Sequence, residues 1–115
     1  MGKTLLSVLG VGKGSWGHVA RIIAENEWEQ VLIVSNDWAK ENFKPSKEVS
    51  WIIVNNRAPF DVLKDAIKEK LPKNEIILSI ISGGGKEHMA IIAALKEAKK
   101  DFQIAVLTGG GTKFY

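Results

Sequence analysis

The hydrophobic residues of this chain fall in five short runs that are continuously apolar rather than alternating with polar residues. Because the runs are also rich in β-branched residues, they predict strands covered on both faces, as in a parallel sheet. The predicted strands are Leu5–Val11, Val31–Ser35, Trp51–Asn55, Ile76–Ile81 and Ile104–Leu107.

Four helices are predicted between these runs, since apolar residues there recur at helical spacing. Prolines lie near the start or end of several of these segments, where helices tolerate them or stop. The predicted helices are Ser15–Glu27, a short helix over Asp37–Phe43, a helix lined by Phe60, Leu63, Ile67 and Leu71, and Lys86–Lys100.

Strands that alternate with helices predict one doubly wound, mostly parallel Rossmann-like α/β sheet with strand order 3-2-1-4-5. Residues 113–115 add a short edge strand, which gives five to six strands, and residues 1–115 form a single domain. The strand order reverses between strands 1 and 4. Ligands of such sheets bind at that switch point, outside the carboxyl ends of the strands.

Composition narrows the class of protein. The chain has no cysteine, which excludes disulfides and thiolate metal sites, and its net charge of +3 is too small and dispersed to favour duplex nucleic acid. No apolar run has the length of a membrane span, and no leader peptide is evident, so we expect a cytoplasmic protein. Fourteen lysines and nine glutamates resemble a thermophile's composition.

Ten of the eleven glycines lie in three clusters, and each cluster directly follows an apolar run. We call residues 10–17 the first glycine loop, residues 82–86 the second and residues 108–113 the third. In the predicted topology the first two loops meet at the switch point and the third lies alongside. Each loop also contains a lysine and a hydroxyl residue, so the three loops predict a site for a small anionic ligand.

The first glycine loop permits more than one interpretation. Gly12-Lys13-Gly14-Ser15-Trp16-Gly17 matches G-x-G-x-x-G, and Asp37 follows twenty residues later, where an acid that binds ribose would lie. That spacing favours an NAD(P)-type dinucleotide. A tight turn without any ligand is the structural alternative, whereas a Walker A loop is excluded because its lysine is followed by Gly14 instead of Ser or Thr.

The second glycine loop has more glycines than a turn requires. Ser82-Gly83-Gly84-Gly85-Lys86 exposes several N–H groups at a helix N-terminus, where an anion is favoured, and its end residues add a hydroxyl and a positive charge. Thr108, Gly109 and Gly110 of the third glycine loop are further candidates for ligand binding.

Histidine and tryptophan residues flank the loops. His18 and His88 each follow a glycine loop in the first turn of a helix, near the expected ligand. Two histidines without a third ligand do not predict a metal site. Trp16 is predicted either to stack on a base or to form a subunit contact, whereas Trp38 is predicted to pack beneath the short helix.

The second glycine loop, followed closely by Met89, resembles the signature of CRISPR-associated Rossmann fold (CARF) domains. These domains pair it with a glycine- and serine-containing loop after strand 1, here Gly12–Gly17 with Ser15. The sequence departs from the pattern at Gly85, which replaces a threonine, and in the position of Met89, one residue late.

The resemblance implies a stand-alone homodimer whose two crevices merge to bind a cyclic oligoadenylate, with no cofactor required. Such a protein is a nucleotide sensor or degrades the ring. No residue of the loops is an evident general base, so catalysis is left open. The alternatives are the dinucleotide-binding protein and a small structural protein without a ligand.

Overall fold

The structure is a computed structural model, and it describes residues 2–115. Strands and helices alternate along the chain, and the crossovers between parallel strands contain the helices. The strands are β1 (Lys3–Val8), β2 (Gln30–Ser35), β3 (Ser50–Ile53), β4 (Glu75–Ser79), β5 (Phe102–Thr108) and β6 (Gly111–Phe114). The helices are α1 (Trp16–Glu25), α2 (Asp37–Asn42), α3 (Phe60–Glu69) and α4 (Gly85–Glu97).

The six strands form one sheet in the order β3-β2-β1-β4-β5-β6. All neighbours are parallel except β5 and β6, which form an antiparallel pair at the edge. The Rossmann-like class, the strand order and the sixth edge strand predicted from the sequence are therefore confirmed. The register pairs Leu6 of β1 with Leu32 of β2 and Leu78 of β4, so the order reverses beside β1.

Two hydrophobic clusters lie on opposite faces of the sheet. One contains Leu6 and Leu78 from the strands and Ile91 from α4. The other contains Ile33 and Ile77 together with residues of α1. Because alternate residues of β1 and β4 enter different clusters, these strands are buried on both faces, as their unbroken apolar runs predict.

The predicted burial of every strand on both faces is wrong for β5. Ile104 and Val106 are 36% and 40% exposed, whereas Ala105 between them is buried in the cluster against α1. The reason is position: β5 lies toward the edge of the sheet and is covered well on one face only. An apolar run therefore indicates a strand more reliably than it indicates cover on both faces.

The strands beside the switch point end earlier than the apolar runs suggest. β1 ends at Val8 rather than Val11, and β4 ends at Ser79 rather than Ile81. Beyond these residues the chain leaves the sheet, although the Leu9 N–H still donates to the Val34 carbonyl at 3.0 Å. The chain thus leaves the sheet two or three residues before the apolar runs end.

Ion pairs on the protein surface connect helices α3 and α4. The Glu97 carboxylate accepts hydrogen bonds from Lys64 at 2.8 Å and from Lys68 at 3.3 Å. The Lys64 ammonium is the main cause of the lowered pKa of Glu97, and the same bond raises the pKa of Lys64. These exposed pairs contribute little to stability but keep α4 aligned with α3.

Candidate functional site

A crevice of about 390 Å³ opens at the carboxyl ends of β1, β2, β3 and β4. We call it the switch-point crevice, because it includes the point between β1 and β4 where the strand order reverses. The residues beyond the strand ends that supply its walls are Leu9–Gly12, Ser15, Asn36, Val54, Asn56, Ile81, Gly83, Gly84 and Glu87. Its location agrees with the general rule for ligand sites in open α/β sheets.

The first two glycine loops are packed directly against each other. A side chain on Gly10 would place its Cβ 2.9 Å from the Gly83 amide nitrogen, and the Gly10 N–H donates to the Ser82 hydroxyl at 2.8 Å. Gly83 has φ +96° and its Cβ would lie 2.4 Å from Val8 Cγ1. Glycine at these two positions is therefore required by the fold, whatever the crevice binds.

Other glycines of these loops have no such explanation. A Cβ on Gly12, Gly14, Gly17 or Gly85 would meet nothing within 4 Å, and none of these residues has positive φ. Gly12 lines the switch-point crevice, so a side chain there would enter the space that a ligand would take. The fold therefore leaves room for a Cβ at these four positions, and of the four only Gly12 lines the crevice.

Trp16 is part of the protein interior. It is 8% exposed, its indole N–H donates to the Gly10 carbonyl at 2.7 Å, and its ring lies 5.7 Å from those of Trp38 and Phe43. The prediction that it stacks on a base or forms a subunit contact assumed no core nearby, and that assumption is wrong. The predicted packing of Trp38 beneath the short helix is wrong as well, because Trp38 is part of α2 and is 45% exposed.

Lys13 lies above this aromatic cluster. Its ammonium group is 5.6 Å from the ring centroids of both Trp16 and Trp38, which favours a cation–π contact with each. The side chain is exposed and does not line the switch-point crevice. The aromatic rings therefore hold one positive charge beside the first glycine loop.

The polar side chains around the second glycine loop bind to backbone groups. Ser82 is 1% exposed and accepts from Gly10, so its hydroxyl serves the contact between the loops. Lys86 donates to the Ala58 carbonyl at 2.9 Å, which turns its charge toward the loop after β3. The His88 Nε2–H group donates to the Ser82 carbonyl at 2.8 Å. These residues shape the loop from outside the crevice wall.

Four polar residues on the crevice wall, Ser35 at the end of β2 among them, were missed from the sequence. Asn36 and Asn56 follow β2 and β3, and Glu87 lies in the first turn of α4. The position of the two asparagines just after the strands was the available signal, because strand ends line such sites. Ser15, which was predicted, is also on this wall.

The remaining predicted residues lie elsewhere. Asp37 is exposed at the start of α2, whereas its neighbour Asn36 faces the crevice. His18 lines a separate, largely apolar cavity of about 250 Å³ next to β5. Thr108, Gly109 and Gly110 form the turn between β5 and β6, away from the crevice wall. Their roles in ligand binding stay predictions.

No group of acidic or histidine side chains within residues 2–115 is arranged to hold a metal ion. In the same part of the chain, no helix is both long and apolar enough to cross a membrane. The residues that line the switch-point crevice carry backbone N–H groups, the hydroxyls of Ser15 and Ser35, two amides and one carboxylate.

The sheet order and the crevice at the reversal of that order define a Rossmann-like α/β domain. Among solved structures, the chain is similar to Enterococcus italicus Csm6 bound to cyclic hexa-2′-fluoro-hexa-dAMP, with a TM-score of 0.61 and 17% sequence identity. The match covers 98% of this chain and 35% of that Csm6 chain, so the chain spans about a third of its length. No protein-family model and no curated protein match the sequence.

Proposed function

We propose that this chain is a nucleotide-sensing module that binds a cyclic oligoadenylate in the switch-point crevice. The observation that carries the proposal is Gly12, which lines the crevice without a side chain although the fold does not require glycine there. Bare N–H groups at such a loop suit a phosphate. The similarity to a Csm6 structure with a bound cyclic hexanucleotide analogue supports this choice of ligand.

The binding site is completed by a second copy of the chain. A crevice of about 390 Å³ holds part of a nucleotide ring, and two crevices joined across a two-fold axis would match a symmetric ring. Ile81 on the crevice wall and Met89 on α4 are 55% and 61% exposed. Large apolar side chains exposed beside a crevice supply the surface for such a contact.

A ligand panel in thermal melting tests the binding proposal. The panel contains cyclic tetra- and hexa-adenylate, the linear oligoadenylates, NAD and NADP. At a concentration about 100 times Kd, a bound ring should raise Tm by roughly 10 °C, because such binding stabilises by about 2.7 kcal/mol. Unchanged melting with both rings, or stabilisation by NAD or NADP alone, contradicts the proposal and in the second case favours the dinucleotide alternative.

Light scattering tests the proposed dimer. The mass in solution should be twice the 12.6 kDa of one chain. The double variant Ile81→Asp/Met89→Asp should be a monomer, because two charges on the contact surface repel their symmetric copies. Val62 on α3 is 53% exposed and does not line the switch-point crevice, so Val62→Asp is the control that should stay dimeric. A monomeric wild type excludes the composite site.

A further inference from the structure

Glu87 is the one charged side chain among the residues that line the switch-point crevice. The lysines of the first two glycine loops bind elsewhere, Lys13 over two indole rings and Lys86 to the Ala58 carbonyl. A crevice proposed for an anionic ligand therefore has an acidic wall. This charge needs an explanation, because a carboxylate repels a phosphate placed next to it.

Glu87 is a half-buried residue, and within residues 2–115 its carboxylate takes part in none of the side-chain hydrogen bonds or ion pairs. One of its oxygens is 3.2 Å from the position that a Cβ on Gly84 would take, so the carboxylate covers the backbone at the start of α4. It does not accept a bond from the Gly84 N–H, as a capping glutamate would. The lone pairs of this group are free to accept from a ligand.

The carboxylate also occupies the place where the helix N-terminus would attract an anion. A phosphate is consequently directed away from the start of α4 and toward the first glycine loop, where Gly12 is bare. The space against Glu87 is left to a neutral part of the ligand that carries a hydrogen-bond donor. The amides of Asn36 and Asn56 line the same space and are likewise uncharged.

We infer that Glu87 is a specificity-determining residue, which accepts a hydrogen bond from a ribose hydroxyl of the bound nucleotide. This inference rests on the proposed function and adds to it an orientation: ribose toward α4, phosphate toward the loop after β1. An ionised carboxylate only accepts hydrogen bonds, and a ribose 2′-hydroxyl is a donor that a 2′-deoxy nucleotide lacks. Glu87 therefore selects ribonucleotide rings over deoxyribonucleotide rings.

Calorimetric titration of two ligands tests the selection, with cyclic hexa-adenylate and its all-2′-deoxy counterpart as the pair. The wild type should bind the ribonucleotide ring at least 10-fold more tightly. Glu87→Ala should reduce this ratio to below 2-fold, mainly by losing affinity for the ribonucleotide ring. Glu87→Gln keeps an acceptor oxygen without the charge and should give an intermediate ratio. Glu41→Ala removes an exposed carboxylate on α2 and should leave the ratio unchanged.

A merely structural role for Glu87, such as stabilising the first turn of α4, predicts another result. Both rings would then lose affinity by the same factor, and the ratio would stay at its wild-type value. That result overturns the inference, as does a wild type that binds both rings equally, while the proposed function stands in either case. A wild type that binds neither ring contradicts the proposed function itself. Should Glu87→Ala fold poorly, Glu87→Asp retracts the charge by one methylene and should also lower the ratio.

Discussion

The second and third glycine loops are nearly the same in sequence but differ in structure. Ser-Gly-Gly-Gly-Lys connects β4 to α4, whereas Thr-Gly-Gly-Gly-Thr-Lys begins at the last residue of β5 and extends into β6. After the second loop the chain enters α4 and crosses over, whereas after the third it reverses directly into the antiparallel β6. In this chain the element that follows a glycine cluster, rather than the glycines themselves, decides whether the cluster lines the switch-point crevice.

Hydroxyl groups show the same difference. Ser82 accepts a hydrogen bond from Gly10 in another loop, 72 residues away. Thr108 instead donates to the Gly111 carbonyl at 2.8 Å and accepts from Gly110, both within its own turn. The second loop is therefore a tertiary contact that forms one wall of the switch-point crevice, and the third is a self-contained hairpin.

Alanine substitution of the positive-φ glycine in each loop should give the largest difference. Gly83 has φ +96° and an added Cβ would lie 2.4 Å from Val8, whereas Gly111 has φ +103° and open space around it. We expect Gly83→Ala to destabilise by about 4 kcal/mol, because strain and overpacking add, and Gly111→Ala by about 1–2 kcal/mol from strain alone. Urea unfolding measures both values, and equal losses would contradict the tertiary role of the second loop.

Loss of the hydroxyl groups should produce a smaller difference in the same direction. Ser82→Ala leaves the Gly10 N–H without its partner in a part-buried site and should cost about 1–2 kcal/mol. Thr108→Val removes bonds within an exposed turn and should cost about 0.5 kcal/mol. Thermal melting of the two variants side by side provides the check; a larger loss for Thr108→Val would reverse the comparison.

Ser79, the last residue of β4, should show a small effect of opposite sign. Its hydroxyl oxygen is fully buried and has no hydrogen-bond partner within residues 2–115. Ser79→Ala should therefore stabilise the protein by about 0.5–1 kcal/mol, since a buried unpaired polar group is removed. Ser7 lies opposite on β1, and its hydroxyl donates to the Val8 carbonyl at 3.3 Å. Ser7→Ala is the control that should not stabilise in urea unfolding.

The sheet could be predicted from the sequence because the positions of its strands and helices follow from the spacing of apolar residues along the chain. Unbroken apolar runs at β1, β2 and β4 reflect burial on both faces, and their alternation with helices fixes the strand order. The location of the switch-point crevice followed from that order. The exposed face of β5 could not be predicted, since it results from the position of β5 in the sheet. The residues of β5 themselves do not indicate it.

The crevice wall was predictable only in part. Backbone positions such as Gly12 follow from the loop, but the direction of a side chain depends on contacts between distant segments. Trp16 is buried because its ring packs against Phe43 and its indole N–H donates to the Gly10 carbonyl. Lys86 points away from the crevice because the Ala58 carbonyl accepts its hydrogen bond. Glu87 was missed for the same reason, since its position on α4 alone does not show which way it faces.

Isothermal titration of cyclic hexa-adenylate into two matched valine variants tests the central claim most directly. Gly12 lines the switch-point crevice and Gly109 lies in the hairpin, and a Cβ at either meets nothing within 4 Å. Both variants should fold with nearly wild-type Tm. We predict at least a 10-fold loss of affinity for Gly12→Val, because its side chain fills ligand space, and no change for Gly109→Val. Wild-type affinity in Gly12→Val would contradict the account.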